Sequence, residues 1–268
     1  MAQPLLQLDS ISKSFGQVIV AADLSVQVEP GSTLGIVGPN GAGKSSLFAM
    51  VAGDLRPDSG DVILNGQRVT AMGSAARCRL GIGRTYQIPR PFEGMTVFEN
   101  VLVASQQGGG MHGKPAHEAT LAALRETGLR GQANQPAGRL GLLARKRLEV
   151  ARAIATRPSL LLLDEVAGGL TDPEVAELVQ IVRDVNSRGV AVIWIEHVVR
   201  ALLSTVDRML CLAGGSVIGD GNPREVLAQQ RVKEIFLGTE VTAVSAALAA
   251  DGDDTVHAED GSAPDTDA

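Results

Sequence analysis

Apolar residues along this chain recur in two rhythms, and the rhythm changes twice. Continuous or alternating apolar and β-branched runs at Leu5 to Leu8, Val18 to Val28, Thr33 to Val37 and Asp61 to Leu64 predict strands in the first third. Similar runs at Leu160 to Leu163, Val190 to Ile195 and Arg208 to Leu212 predict strands in the last. Between Tyr86 and Arg157 the strand signal disappears. Helical spacing replaces it, as at Ala116 to Thr127 and Arg145 to Thr156, broken by the flexible turn Gly108-Gly109-Gly110. The order predicts one α/β domain over residues 1–240 with a helical subdomain inserted at about 88–157, and no internal repeat.

Composition agrees with a packed globular chain. Of 268 residues 44% are apolar and 20% charged, while an aromatic share of 3% leaves Leu, Val, Ile and Ala to fill the core. The longest apolar runs fall far short of the roughly 18 residues a membrane-spanning helix needs, and the N-terminus lacks a basic and apolar signal pattern, so a cytosolic protein is expected. Cys78 and Cys211 match no metal or redox spacing and read as ordinary reduced thiols. The net charge of −6 comes from residues 241–268, which hold seven acids and no Lys or Arg. That segment is too poor in bulky apolar residues to repay ordering entropy and reads as a disordered, solubilising tail. The near-neutral remainder carries no basic stripe interleaved with aromatics, which argues against a nucleic-acid partner.

Chemistry enters at Gly38-Pro39-Asn40-Gly41-Ala42-Gly43-Lys44-Ser45, a complete G-x-x-x-x-G-K-[ST] loop between a predicted strand and a predicted helix. Glycines let successive backbone N–H groups curl around phosphate oxygens, Lys44 supplies charge to the β- and γ-phosphates, and Ser45 offers a hydroxyl to Mg²⁺. Ser46 continues the loop into the helix, whose positive dipole end faces the anion. A second feature lies about 120 residues downstream, where Leu160 to Leu163 run into Asp164-Glu165. A buried central strand delivering two acids to its carboxyl end has this form. Asp164 is placed to hold Mg²⁺ opposite Ser45, and Glu165 to polarise an attacking water.

With these motifs in this order, residues 4–240 resemble the ATP-binding subunit of an ABC transporter. The resemblance implies a P-loop NTPase fold with a RecA-like mixed sheet, an N-terminal antiparallel β region and an inserted helical subdomain. It implies adenine stacking on Phe15 of Lys13-Ser14-Phe15-Gly16, where an isolated Phe would otherwise read as core. Gln87 of Arg84-Thr85-Tyr86-Gln87 matches the glutamine that meets Mg²⁺ or water and joins the subdomains. His197 of Trp194-Ile195-Glu196-His197 matches the histidine that reaches the γ-phosphate, whereas His112, His117 and His257 match nothing. The segments Arg84 to Gln87, Pro91 to Val101, Arg147 to Ala153 and Ile235 to Gly238 look like the branched-chain amino acid (LivG) branch. Importers of urea, small amides and organic acids share much of that pattern.

Three positions depart from the family. Its L-S-G-G-Q signature, which serves the partner subunit's γ-phosphate, is here Leu140-Gly141-Leu142-Leu143-Ala144, without the serine hydroxyl and with leucine for the second glycine. That reads as a weakened phosphate site. Val166 replaces a proline after Glu165, and Thr171 stands where the family has Asp, with Asp172-Pro173 reading as the N-cap and first-turn pair of the next helix. The resemblance further implies two such domains closing head to tail over ATP and Mg²⁺. The partner would be a second ABC ATPase or another copy, on the cytoplasmic face of the membrane. Two integral-membrane permease subunits and, indirectly, a solute-binding protein complete the implied assembly, with Arg90, Phe92 and Met95 either receiving a permease helix or packing the subdomain. A soluble ABC-type ATPase is the competing class, although no coiled-coil insert or tandem cassette is present. No Asn-Lys-x-Asp guanine-reading motif supports a G protein, and a kinase would leave Gln87 and His197 unexplained.

Overall fold

In the computed structural model, which describes residues 3–237, the first rhythm becomes two sheets. Strands β1 (Leu6–Phe15) and β2 (Val18–Val28) form a long antiparallel hairpin, followed by β3 (Thr33–Val37), helix α1 (Lys44–Ala52), β4 (Ser59–Leu64) and β5 (Gln67–Arg68). A short α2 (Ser74–Arg79) leads to β6 (Ile82–Arg84). Helices α3 (Val97–Val103), α4 (Gly113–Glu126) and α5 (Leu142–Ala155) fill the interval without strands, after which β7 (Leu160–Asp164), α6 (Asp172–Asn186) and β8 (Ala191–Ile195) alternate. The described chain closes with α7 (Val199–Leu203), β9 (Arg208–Ala213), β10 (Ser216–Gly221), α8 (Pro223–Ala228) and α9 (Gln230–Leu237). The acidic segment 241–268 lies outside the described residues, as does His257.

One sheet is antiparallel, ordered β2-β1-β4-β5; the other is ordered β10-β9-β3-β8-β7-β6, parallel except for β10. This is an α/β fold with a mixed central sheet and an N-terminal antiparallel sheet, as expected. The leucine run of β7 is explained by burial on both faces. Leu161 and Leu163 pack with Trp194, α5 and α6, while Leu160 and Leu162 pack with Ile193, Ile195 and α1. All four are fully buried, each worth about 2 kcal/mol in transfer from water.

The departures from the predicted elements have local causes. The first strand runs well beyond Leu8, because register shifts after Leu8, Ile11 and Lys13 break the alternation that marks a strand. The unpredicted β6 has three residues and a central glycine, and β10 contains two glycines, which dilute the apolar signal. Helix α3 is nucleated by a capping box in which Thr96 and Glu99 bond each other's backbone N–H groups. It runs into a π-turn over Ala104–Gly108, and the helical path stops at the glycine triplet. Among the described residues no helix is long and apolar enough to cross a membrane.

Candidate active site

Central strand β3, buried at every residue, aims the phosphate-binding loop out of the middle of the mixed sheet. Two backbone strands hold that loop. Gly38 has φ +151° and a Cβ there would lie 2.2 Å from the Leu212 carbonyl oxygen on β9. At Gly43, with φ +102°, a Cβ would lie 2.1 Å from the Val20 carbonyl oxygen on β2. Only glycine fits this approach, so both sheets shape the cradle. Gly43 is also the N-cap of α1 and supplies no side-chain cap, which leaves the first N–H groups of the helix to another acceptor. Lys44 is buried and its Nζ donates to the carbonyls of Gly38, at 2.6 Å, and Pro39, at 3.1 Å. Val20, Asn40, Gly41, Ala42, Gly43, Lys44, Ser45, Ser46 and Glu165 line a cleft of about 170 Å³. A loop of this shape, with cation and uncapped helix end, fits a polyphosphate.

Strand β7 brings the two acids to the same place. Asp164 is buried at the end of the strand, its N–H bonded to Thr85 Oγ1, and its Oδ2 accepts from Arg84 at 3.2 Å. Burial pushes its carboxyl above the usual range, and Arg84 pulls it back. Glu165 follows with φ +48°, an uncommon conformation for a residue with a side chain, as the chain leaves the strand. Its Oε2 accepts from Gln87 Nε2 at 2.5 Å and its Oε1 lies 2.9 Å from His197 Nε2. Two residues from separate elements, Gln87 and His197, thus converge on the Glu165 carboxylate at the mouth of the cleft. Such a carboxylate, held by two polar partners and with 18% of its side chain still exposed, can orient a water and accept its proton.

Other expected positions fall as follows. Phe15 is 53% exposed at the tip of the hairpin, paired with Val18, with Lys13 Nζ 5.4 Å from its ring centre. It is therefore not core, and its partner Val18 lies two residues from Val20 of the cleft. Gly141 is the N-cap of α5, with Leu142 exposed and Leu143 half-buried in its first turn. No side chain caps that helix end either, so its dipole is available although the serine hydroxyl is missing. The reading of Asp172-Pro173 as N-cap and first turn needs correction. The cap of α6 is Thr171, in a reciprocal box with Glu174, and Asp172 and Pro173 are the first two helical residues. Thr171 wins because Glu174 stands three residues on, the spacing a capping box demands.

Sequence reasoning passed over four side chains that hold the site. Arg84 bridges Asp164 to Asp54, the latter at 2.8 Å, and covers the Tyr86 ring at 5.0 Å. Lys146, buried on α5, donates to the carbonyls of Gln87, at 3.3 Å, and Glu165, at 3.1 Å. Glu149 accepts from the Arg90 N–H at 3.0 Å. Glu196 is 2% exposed and accepts from the N–H groups of Ala167, His197 and Val198. A signal existed for Lys146 and Glu149. Helical spacing to Val150, Ala153 and Ile154 puts both among the buried residues of α5.

The chain matches a family model described as ABC transporter over residues 21–168. The lipopolysaccharide export system ATP-binding protein LptB of Acidithiobacillus ferridurans is 35% identical, covering 87% of this chain and 97% of that one. The high-affinity branched-chain amino acid transport ATP-binding protein LivG of Escherichia coli K12 is 30% identical, covering 89% and 99%. In three dimensions the chain is similar to the ADP conformation of MJ1267, an ATP-binding cassette of an ABC transporter, with a TM-score of 0.81, 27% identity and coverage of 88% and 100%. The expected kinship to the LivG branch is thus matched by an equal kinship to an export ATPase. Cleft, paired acids and these matches agree: the chain belongs to the ABC transporter family, as an ATP-binding subunit that hydrolyses ATP.

Proposed function

We propose that this chain powers an importer of branched-chain amino acids or related small polar solutes, working from the cytoplasmic face of the membrane. The observation that carries the chemistry is Glu165 held between Gln87 and His197 at the mouth of the phosphate-binding cleft. Backbone N–H groups of residues 40–46 and Lys44 bind the phosphates, Gly38 and Pro39 shape the loop, and Phe15 supports the adenine. Glu165 takes the proton of the attacking water, His197 reaches toward the γ-phosphate, and Gln87 reports its presence. Among the described residues no cluster of three His, Cys, Asp or Glu would hold a metal unaided. That suits Mg²⁺, which is bound through one or two carboxylates together with the substrate's phosphates and water. Ser45, Asp164 and Gln87 would supply the protein oxygens, and the ion would neutralise phosphate charge.

Because the signature helix α5 begins on a different element from the cleft, a second ATPase closes head to tail over this site, and ATP acts as the adhesive. Gly141, Leu142 and Leu143 face the partner's nucleotide with no hydroxyl, so a heterodimer whose other member carries an intact signature is favoured over two copies of this chain. Two permeases complete the assembly, and a helix of one docks on the surface formed by the exposed Tyr86, Ile88, Arg90 and Phe92, with Met95 half-buried beneath. Four segments similar to the LivG branch, at 84–87, 91–101, 147–153 and 235–238, favour import of small solutes through a solute-binding protein. The 35% identity to LptB favours a second reading, an ATPase for lipid export.

Isolation with native associates from gently solubilised membranes, followed by mass spectrometry, separates the readings. Two polytopic permeases and a second ATPase are expected. Membrane subunits of a lipid exporter would support the lipid reading, and soluble partners alone in an active preparation would refute transport.

A further inference from the structure

Two buried charged groups that the proposed chemistry does not use tie together the backbones of the three loops meeting at Glu165. Lys146 is 4% exposed in the first half of α5, and its Nζ donates to the carbonyl oxygens of Gln87 and Glu165, the two residues whose side chains bond each other. Glu196 is 2% exposed, one residue before His197. One of its oxygens accepts from the Ala167 N–H at 2.5 Å; the other accepts from the N–H groups of His197, at 3.1 Å, and Val198, at 3.4 Å. Burial pushes the lysine down and the glutamate up, while each charge favours the ionised form of the lysine, since Glu196 and Glu165 both raise it. Burying such charges costs several kcal/mol per ion, and apolar residues of similar volume would often serve stability as well or better. What the charges supply that a methionine would not is direction. The ammonium fixes two carbonyls and the carboxylate fixes three N–H groups. Together they set where Gln87, Glu165 and His197 leave the main chain.

We propose that Lys146 and Glu196 are positioning residues. Lys146 locks the backbone of Gln87 and Glu165 to the helical insert, and Glu196 locks the loop after Glu165 to the turn that carries His197. The inference rests on Glu165 being the base of the proposed reaction. A shift of α5 then reaches the Glu165 backbone directly, through one side chain, and with it the carboxylate that this backbone carries.

The test uses the full chain in complex with its native membrane subunits, and compares Lys146→Met, Lys146→Arg and Glu165→Gln. Binding of a fluorescent ATP analogue, KM, kcat and the melting temperature are measured for each. Lys146→Met is expected to leave nucleotide affinity and KM within about twofold while kcat falls about 10- to 100-fold, the penalty of slight misplacement of a reacting group. Lys146→Arg, which keeps donors for both carbonyls, is expected to recover most of that loss. Added to Glu165→Gln, Lys146→Met is expected to lower the residual rate no further, since it acts through Glu165. If Lys146→Met does not fold, Glu196→Gln reads the same brace from its other half, with the same split between kcat and KM. A wild-type kcat in Lys146→Met, or equal loss in the Met and Arg variants, overturns the brace. A wild-type rate in Glu165→Gln overturns instead the reading on which it rests.

Discussion

Replacing Gly43 by alanine isolates the close approach that shapes the phosphate-binding loop, with Gly41→Ala as its control. Both glycines hold positive φ, +102° and +80°, so each alanine carries the left-handed penalty of about 1–2 kcal/mol. They differ in surroundings. At Gly41 a Cβ meets nothing within 4 Å, whereas at Gly43 it would stand 2.1 Å from the Val20 carbonyl oxygen. That oxygen cannot retreat freely. Its strand is paired to β1 from Val18 to Val28, and Ala22 N–H is bonded to Gly215 O at 2.8 Å. Overpacking against such a neighbour adds about 1–3 kcal/mol. At ~2–4 °C per kcal/mol for a domain of this size, Gly43→Ala should lower the melting temperature by roughly 4–20 °C and Gly41→Ala by roughly 2–8 °C. Because relief of the clash must move the loop against Lys44, Gly43→Ala should also lose most affinity for a fluorescent ATP analogue. Circular dichroism melts and an analogue titration decide the matter. Equal melting points in the two variants, or wild-type affinity in Gly43→Ala, would refute the claim that β2 shapes the cradle.

Glu165→Gln should keep nucleotide binding and lose turnover by about 10²- to 10⁴-fold, the usual worth of a general base; phosphate release near the wild-type rate would remove Glu165 from that role. Gly141→Ser restores a hydroxyl at the N-cap of α5, where φ is −69° and a Cβ meets nothing within 4 Å. It should raise stability by a few tenths of a kcal/mol and increase hydrolysis at the partner's site; no change in either would show that the missing serine is irrelevant. Burial raises the Cys211 thiol to about 11, so at pH 8 a maleimide should label it only after unfolding, as mass spectrometry of the native and denatured protein would reveal.

The parts of the site legible in the sequence are those whose chemistry is written in adjacent residues. Gly38 to Ser45 needs neighbouring glycines, a lysine and a hydroxyl, and Asp164-Glu165 follows directly from a strand that four leucines announce. Thr171 was legible too, since Glu174 lies at the capping-box spacing, but the acid-proline pair beside it competes for the same role. Strand β10 was hidden by its glycines and the length of β1 by its register shifts, because in both the alternation that marks a strand is interrupted. The long-range bonds were not legible at all. Arg84 meets Asp164 across 80 residues and Lys146 meets Gln87 across 59, and no local rhythm encodes such a pairing.

The cations of the site follow from an electrostatic requirement that the acids alone would violate. Glu165 lines a cleft that suits a polyanion, and burial and the Glu165 charge both disfavour ionisation of its neighbour Asp164. An uncompensated pair would hold a proton and repel phosphate. Arg84 on β6 and Lys44 on α1 both favour the ionised Asp164, from opposite sides of the strand order, and Lys146 from α5 stands against the Glu165 backbone. The three charges come from three different layers of the fold. Losing any one would therefore disturb a different contact: Arg84 the metal-facing acid, Lys44 the phosphate loop, Lys146 the position of the base. Separate phenotypes are the consequence, and Arg84→Met should show it most simply. With Asp164 deprived of the cation that most favours its ionised form, the carboxyl should titrate higher still, so Mg²⁺-dependent ATP binding should begin to weaken at a higher pH than in the wild type. Coincident midpoints in the pH profiles of the two proteins would mean that Arg84 serves Asp54 and the packing of Tyr86 alone.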